Sequence, residues 1–316
     1  MQPPPLKLGT RRSPLALAQA EEARARLQAA HPGLEVVLVP VTASGDKVLD
    51  RPLADIGGKA LWTKELDAWL LAGEIDFAVH SLKDVETLRP AEITIAAILP
   101  REDVRDVLLG AASLADLPPG ARIGTSAPRR AALALHLRPD CRVVGFRGNV
   151  QTRLAKLAAG EADATLLAKA GLNRLGRGDL GTPLDPATWL PAPGQGAIAI
   201  ECRTVLRQAQ DDRDSWIFAL LAAIDDAPSR LQVTAERGLL AALGGNCHSP
   251  VAVLSELAGD RLTLRAALLS EDGAERVDAR LTFAAHDPTG PRALAQQLLA
   301  AAGPAIRALF DPPKET

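Results

Sequence analysis

The sequence predicts an α/β fold in which two lobes of alternating strands and helices precede a smaller α+β region. Short apolar runs alternate with helical patterns from Leu6 to Glu201, which is typical of mainly parallel sheets covered by helices. The chain has 316 residues, too many for one typical core, and fits two or three domains. From about Ser215 the pattern changes to two helical runs, three strands near 250–257, 261–269 and 276–284, and a last helix over about 290–309.

The composition argues against several kinds of partner. The chain is 47% hydrophobic and 23% charged with a net charge of −2, so no bulk field attracts nucleic acid or a membrane surface. Aromatic residues make up 3% and tyrosine is absent, which disfavours a base-stacking surface. The first residues lack the features of an export signal, and three widely spaced cysteines form neither a disulfide framework nor a metal cluster. We therefore expect a cytoplasmic protein with no metal, no nucleic-acid partner and no membrane contact.

The first predicted strand, near residues 6–9, leads into a polar turn and a helix. Ser13 is a suitable N-cap and Pro14 a suitable first helical residue. A strand, a tight turn and a helix N-terminus present free backbone N–H groups to an anion, and Arg11 stands beside them. Plain capping with a solvated arginine explains the same residues.

A long polar stretch over 43–60 follows the second predicted strand. Loops of this length inside compact domains are usually lids or binding loops. Its GGK sequence at 57–59 is not a phosphate-binding loop, because the earlier glycine and the following hydroxyl residue are missing. The next stretch, 61–72, has the spacing of a helix whose apolar residues, Trp69 among them, are expected to pack in the core.

A strand over 75–79 ends in four polar side chains, His80, Ser81, Lys83 and Asp84. Open α/β sheets bind ligands at the carboxyl ends of their strands, so a reactive group is expected here. A cation next to a carboxylate suits a site that holds an anion and handles a proton. A solvated loop is the alternative interpretation.

The second lobe repeats the order of strand, turn and helix. Thr125 or Ser126 can cap a helix that Pro128 opens, and Arg129 and Arg130 lie in its first turn. Cations at a helix N-terminus oppose the helix dipole, so this pair predicts an anion between the two side chains. Further cations follow predicted strand ends or helix starts, namely Arg147, Arg153 and Arg174.

A Pro/Gly-rich linker over 190–196 precedes an apolar strand over 197–201. We interpret this strand as a return crossing that completes the first sheet, which makes the first two lobes a hinged clamp. The predicted domains are 1–99 with 197–214, then 100–196, and last 215–316.

Cys247 lies in a glycine-flanked loop of the third predicted domain and is expected to be exposed. Cys141 and Cys202 are expected to be buried. An electropositive cleft would favour the reactive thiolate of Cys247. An inert loop thiol is the alternative.

Nine short motifs occur in one order along the chain. They are GTRRSPLAL at 9–17, GGK at 57–59, AVHSLKDV at 78–85, GTS at 124–126 with the two arginines, RGNV at 147–150, AGL at 170–172, PGQGA at 193–197, VTAER at 233–237 and GNC at 245–247. Each is weak alone, but together they span about residues 6–310. The chain thereby resembles the porphobilinogen deaminases, also called hydroxymethylbilane synthases.

The resemblance implies three α/β domains, the first two similar to two-lobe (type II) periplasmic binding proteins and the third a small α+β domain. It implies a cytoplasmic transferase of haem-type tetrapyrrole biosynthesis. Nothing in the sequence requires more than a monomer, so a monomer is expected. Such enzymes join four porphobilinogen molecules head to tail, lose ammonia and release the linear tetrapyrrole hydroxymethylbilane by hydrolysis. A covalent dipyrromethane cofactor, built from the enzyme's own substrate, primes the polymer.

The resemblance also implies roles for individual residues. Asp84 matches the catalytic carboxylate, and Cys247 matches the cysteine that holds dipyrromethane through a thioether bond. The other candidates for cofactor binding are Ser81, Lys83, Thr125, Ser126, Arg129, Arg130, Gly145 and Arg147. The candidates for substrate binding are Arg11, Ser13, Lys59, Trp62, Arg147, Arg153, Arg174 and Gln195.

The chemistry of the pyrroles agrees with these residue types. Each pyrrole carries acetate and propionate groups, so a growing chain gathers carboxylates that arginine and lysine bind by charge-assisted hydrogen bonds. Loss of ammonia leaves an electron-poor methylene-pyrrole cation, which Asp84 would stabilise while shuttling the pyrrole proton. Lys59 and the 43–60 loop are expected to cover the site and exclude water.

Five positions depart from the family pattern or lack a role in it. Ala127-Pro128 precede the double arginine where a hydroxyl residue is common, Asp55 stands where some relatives are basic, and Trp62 stands where Phe is frequent. His248 has no assigned role.

Two other functions fit part of the sequence. A two-lobe module that binds a small anion explains the arginines and needs neither Asp84 nor Cys247. A cysteine hydrolase using Cys247 and His248 is disfavoured, because adjacent residues on an extended loop point apart.

Overall fold

The computed structural model describes residues 4–42, 63–205 and 212–310. They form two compact units, one of residues up to Glu102 together with Gly196–Arg230, the other of Asp103–Gln195 together with residues from Leu231 onward. The predicted covering loop at 43–60, with Lys59, and the neighbouring Trp62 lie outside the described residues.

The strands of the described residues form three sheets and are numbered in chain order. They are β1 (Leu6–Arg11), β2 (Val36–Val41), β3 (Phe77–Ser81), β4 (Ile93–Ile98), β5 (Asp106–Leu109), β6 (Arg122–Gly124), β7 (Arg142–Val144), β8 (Ala164–Ala168), β9 (Thr182–Pro183), β10 (Ile198–Arg203), β11 (Val251–Ala258), β12 (Arg261–Leu269) and β13 (Arg276–Ala284).

The helices of the same ranges are numbered likewise. They are α1 (Pro14–Ala30), α2 (Lys64–Leu71), α3 (Pro128–Leu137), α4 (Val150–Ala158), α5 (Lys169–Arg174), α6 (Asp212–Ala222), α7 (Ala227–Ala242), α8 (Gly290–Ala301) and α9 (Pro304–Arg307), with a 3-10 turn at Leu82–Asp84. In the described part of the chain, none of the helices is both long enough and apolar enough to cross a bilayer.

The first sheet is completed by a strand from far along the chain. Its order is β2-β1-β3-β10-β4. β1 pairs in parallel with β2 and β3, whereas β10 runs antiparallel between β3 and β4. β10 follows the 190–196 linker, so the predicted return crossing is confirmed.

The second sheet repeats this arrangement with the order β7-β6-β8-β5-β9. β6 is parallel to β7 and β8, and β5 is antiparallel to β8 and β9. In each sheet three parallel strands therefore end on one edge, where α/β folds place their ligands. The sequence does not predict β5, because this four-residue strand follows the charged stretch 101–105.

The third sheet is antiparallel, in the order β11-β12-β13, and packs against α7, α8 and α9. Two of its strands also enter the core of the second sheet, because Ala252 and Leu269 share one cluster with Leu108 and Ile123. The predicted fold class, α/β lobes followed by a small α+β region, is confirmed. The predicted domain boundaries stay a prediction.

Both predicted helix starts exist, but only the first is capped by a side chain. At α1, Ser13 Oγ accepts a hydrogen bond from the Ala16 N–H at 3.3 Å, ahead of the opening proline. At α3, Pro128 is again the first residue, but Ala127 occupies the N-cap position and caps with no side chain. The predicted capping by Thr125 or Ser126 is therefore wrong.

Two other helical predictions are corrected by packing. Leu66 and Leu70 of α2 are buried as expected, but Trp69 is 39% exposed because it lies on the outer face of this helix. The single helix predicted over 290–309 is two helices, since α8 ends at Ala301 and Pro304 opens α9. Proline lacks the N–H that a continuous helix would need at that position.

The turn between β12 and β13 lies directly on α3. Gly273 has φ +71°, and a Cβ there would lie 2.5 Å from the carbonyl oxygen of Ala132 and 2.6 Å from the backbone nitrogen of His136. His136 Nδ1 is also 2.9 Å from the Gly273 carbonyl oxygen. By contrast, Gly259 in the β11–β12 turn has φ +59° with open space around it.

We expect Gly273→Ala to lower the free energy of unfolding by about 3 kcal/mol and Gly259→Ala by about 1 kcal/mol. The left-handed backbone strains both variants, but only the first adds an overlap with the backbone of α3. Urea unfolding followed by circular dichroism measures both values. Equal losses would show that the hairpin does not depend on its contact with α3.

Candidate active site

The candidate site residues of the first unit that the structure describes lie at the carboxyl edge of the first sheet. β3 ends at Ser81, and the 3-10 turn Leu82–Asp84 follows without a break. The adjacent parallel strand β1 ends at Arg11, on the same edge. The structure thus brings five predicted site residues to this edge, namely Arg11, Ser13, Ser81, Lys83 and Asp84. Cations and a carboxylate at one edge can bind an acidic ligand and act on a proton.

Gln19 is a residue of this edge that the sequence analysis missed. Its side chain is buried on α1, and its Nε2 donates to Ser81 Oγ at 2.8 Å. This pairing fixes the hydroxyl at the end of β3. One feature of the sequence could have indicated Gln19. It is a polar residue on the same face of α1 as Ala16, Ala20 and Ala23, which are buried.

A buried ionic network lies beside β3. Arg89 donates to both carboxylate oxygens of Glu201 at 2.9 Å, and to those of Asp67 at 2.6 and 3.0 Å. It also donates to Glu86 at 3.2 Å. Glu201 is fully buried, and such bidentate pairs are strong and directional. The network ties β10 and α2 to the segment that follows Asp84.

His80 lies beside this network, on the strand that leads to the candidate carboxylate. Its Nε2 is 3.4 Å from Glu201 Oε2 and has no hydrogen-bond partner among the described residues. Burial, and next the charge of Arg89, lower the pKa of His80 to about 4. The imidazole is therefore neutral at pH 7. Arg11 and Asp84 also act on its pKa, in opposite directions, so both charges lie near the ring.

We expect the protein to lose stability below pH 6.5 because of His80. As the pH falls, the unfolded chain protonates this imidazole near pH 6.5, but the folded chain does so only near pH 4. The free energy of unfolding should therefore drop by up to about 3 kcal/mol between those values, with no such loss above pH 6.5.

His80→Gln removes the titrating group, so its free energy of unfolding should fall less between pH 7 and pH 4 than that of the wild type. Urea unfolding at pH 7, 6, 5 and 4 measures the difference. His286→Gln, at an exposed histidine, is the matched control. Parallel curves for wild type and His80→Gln would contradict a neutral, buried His80.

In the second unit, the two adjacent arginines meet a carboxylate of the chain itself. Arg129 Nη2 and Arg130 Nη2 donate to the two oxygens of Asp106, at 2.6 and 2.7 Å. All three side chains are buried, and Asp106 is completely so. The predicted anion between the arginines is thus present, and it is Asp106, which the sequence analysis missed. The roles of the arginines toward a cofactor stay predictions.

Two more side chains converge on Asp106. Trp189 Nε1 donates to one carboxylate oxygen at 2.8 Å, and Gln195 Nε2 donates to the other at 2.9 Å. Gln195 Nε2 also donates to the Val104 carbonyl at 2.7 Å. The structure therefore places Gln195, a predicted substrate-binding residue, inside a buried network. The PGQGA motif marks Gln195, but no motif marks Trp189 or Asp106.

The other candidates of the second unit follow the carboxyl ends of β6 and β7 or lie on the helices nearby. Thr125 Oγ1 accepts from the Ala127 N–H at 3.1 Å, and Ser126 Oγ donates to the Phe146 carbonyl at 2.9 Å. These bonds shape the turns after both strands. The candidates at this edge are Thr125, Ser126, Gly145 and Arg147, with Arg153 on α4 and Arg174 on α5, and the three arginines are half-buried.

Cys247 is exposed in the loop that precedes β11, whereas Cys141 and Cys202 are buried, which confirms the prediction. The loop is held by Asn246, whose Oδ1 accepts from the His248 N–H at 2.8 Å. Burial raises the pKa of Cys202 to about 12, and burial also raises that of Cys141. Cys247 is therefore the thiol that a reagent or a substrate can reach.

Known proteins resemble this chain over nearly its whole length. A family model described as porphobilinogen deaminase, dipyromethane cofactor binding domain, matches residues 6–211, and one described as porphobilinogen deaminase, C-terminal domain, matches residues 230–302. A relative named porphobilinogen deaminase from Sphingopyxis alaskensis is 55% identical over 97% of this chain and 96% of its own. Its namesake from Paracoccus denitrificans is 50% identical over 90% of each chain.

Among solved structures, the periplasmic VFT2 domain of BvgS from Bordetella pertussis is 18% identical, with 69% of this chain and 87% of that chain covered, at a TM-score of 0.38. The two family models, and relatives at 50% identity or more, cover both units that hold the candidate residues. On these findings, the chain belongs to the porphobilinogen deaminase family.

Proposed function

We propose that this chain is a hydroxymethylbilane synthase, a transferase that joins four porphobilinogen molecules head to tail. The observation that carries the proposal is the match of both family models, in order, along the chain. In each coupling the bond between the aminomethyl carbon and its nitrogen breaks, and ammonia leaves. A carbon–carbon bond forms to the next pyrrole ring, which loses a proton. Water finally releases the linear tetrapyrrole.

Asp84 is the group that suits the charge and the proton in this reaction. It is half-buried in the turn after β3, on the edge that also carries Lys83 and Arg11. A carboxylate stabilises an electron-poor methylene-pyrrole cation and can accept the proton that the ring loses. Because neighbouring His80 is neutral at pH 7, it adds no positive charge that would oppose the cation.

The residues of the second unit fit a covalent dipyrromethane. Such a group needs an accessible thiol for its thioether and cations for its acid groups. Cys247 is exposed, and the buried Arg130 keeps an Nε with no hydrogen-bond partner among the described residues. Cys247 would hold the group, and Arg129, Arg130 and Arg147 would bind its carboxylates. When bound, it supplies the free pyrrole position to which the first porphobilinogen is added.

The remaining cations at the two sheet edges would bind the acetate and propionate groups of porphobilinogen and of the growing chain. They include Arg11, Lys83, Arg153 and Arg174. Ser13, Gln195, Lys59 and Trp62 are proposed for the same task on the family resemblance alone. We also propose a monomer in the cytoplasm, which size-exclusion chromatography and cell fractionation test.

Incubation with porphobilinogen tests the proposed reaction. We expect one ammonia for each porphobilinogen consumed, and an intact mass above the sequence mass by one dipyrromethane, located on the peptide that contains Cys247. Cys247→Ser should lose both the added mass and turnover, whereas Cys141→Ala should keep both. Binding of porphobilinogen without release of ammonia would instead identify an anion-binding module.

Asp84→Asn tests the assigned carboxylate. The amide keeps the shape of the side chain but neither stabilises a cation nor takes up a proton, so we expect kcat to fall at least about 100-fold. Initial rates across porphobilinogen concentrations measure this, and circular dichroism checks the fold. Glu92→Gln, at an exposed carboxylate of the same unit, should keep wild-type rates. A similar kcat for Asp84→Asn and wild type would remove Asp84 from the mechanism.

A further inference from the structure

Asp106 is a buried carboxylate of the second unit that accepts hydrogen bonds from several side chains. It is fully buried, and at least four described side chains donate to it at 2.6–2.9 Å, from α3 and from the segment before β10. The four donors are Arg129, Arg130, Trp189 and Gln195. A carboxylate with this many donors is held in one position.

The charges of this group do not balance. Two guanidiniums face one carboxylate, so the three side chains together carry one positive charge in a buried place. The other amino groups of the pair donate to backbone carbonyls, Arg129 Nη1 to Leu190 at 2.7 Å and Arg130 Nη1 to Leu166 at 2.8 Å. Carbonyls satisfy donors but do not neutralise charge.

Two further observations indicate that the arginine pair can bind a second anion. Arg130 is 5% exposed, and its Nε has no hydrogen-bond partner among the described residues. Burial lowers the pKa of Arg129. The charge of Asp106 opposes this effect, and the like charge of Arg130 adds to it. An uncompensated buried cation is costly, so a second acid group near the pair would be stabilising.

We propose that Asp106 is a built-in counter-anion, which holds Arg129 and Arg130 in place before the cofactor is attached and then shares them with an acid group of the tethered dipyrromethane. Asp106 is a positioning residue, because it acts through the arginines and contacts no reacting atom. The inference rests on the proposed function, since that supplies the acid group.

The shared arginine pair makes the two anions partly interchangeable. When Asp106 is present, the tethered acid group neutralises one leftover charge. When Asp106 is replaced by the neutral, similarly shaped asparagine, both guanidiniums lack a carboxylate, and the tethered acid group becomes more valuable to the fold. Loss of Asp106 should therefore cost less stability with the cofactor attached than without it.

A double-mutant cycle on the full chain measures this. Cys247→Ser, at an exposed position, provides a chain that cannot attach the cofactor, and the Cys247 chain is loaded with porphobilinogen and checked by intact mass. Asp106→Asn is introduced into both, and urea unfolding gives four equilibrium constants. We expect Asp106→Asn to raise the unfolding constant at least tenfold more in the Cys247→Ser chain than in the loaded chain.

Asp103→Asn is the matched control. Asp103 is a half-buried carboxylate three residues earlier, and it pairs with Arg105 at 2.6 Å instead of the arginine pair. Its substitution should change the unfolding constant by the same factor in both chains. If neither form of Asp106→Asn accumulates, Asp106→Glu takes its place. The longer side chain keeps the charge but displaces the carboxylate from the arginines, so a smaller difference of the same sign is expected.

Three other outcomes would contradict the inference, and each has a different meaning. Equal costs in the two chains would mean that Asp106 serves the fold alone. An Asp106→Asn chain that folds but stays unloaded, under conditions that load Asp103→Asn, would mean that the acid group cannot take over from Asp106. A wild-type chain with no added mass on Cys247 would overturn the proposed function as well as this inference.

Discussion

The bond between one buried carboxylate and two guanidiniums is the constraint on which the second unit depends. Asp106 opens β5, the antiparallel strand of the second sheet, and both arginines come from the first turn of α3. Because Trp189 also donates to Asp106, this one carboxylate fixes a strand, a helix start and the segment before the return crossing. Removing the carboxylate would leave two guanidiniums buried without the counter-charge that they share, which is among the costliest changes a fold can suffer.

The first unit contains an ionic network in which the carboxylates outnumber the guanidinium, the reverse of the group around Asp106. There one guanidinium, Arg89, donates to three carboxylates, those of Glu201, Asp67 and Glu86. Counting these four side chains alone, the balance is negative next to the strand that leads to Asp84, and positive around Asp106. A negative surrounding favours a developing cation, and a positive one favours acid groups. In the first unit, however, Arg11 and Lys83 lie on the same sheet edge as Asp84, so that edge as a whole carries charges of both signs.

Local signals in the sequence predict the local parts of the site. Ser13 ahead of a proline predicts the capped start of α1, and an apolar run that ends in polar residues predicts β3 and its turn. The Gly-flanked loop predicts the exposure of Cys247. Long-range partners leave no such signal, because Asp106 lies 23 residues from Arg129 and 83 from Trp189. The sequence shows that each side chain is polar, but only the fold shows what it meets.

The arginine pair shows where such reasoning stops. Two cations at a helix start require an anion, and this requirement follows from the helix dipole alone. Electrostatics does not say whether that anion comes from the protein or from a ligand, since a carboxylate has the same charge in either. The structure answers half of the question, because Asp106 supplies one carboxylate. This carboxylate neutralises only one of the two guanidiniums. In addition, the buried Nε of Arg130 donates to no described residue, so the pair can still bind an acid group of a ligand. On the inference proposed above, an acid group of the cofactor therefore complements the internal carboxylate, and the two share the arginine pair.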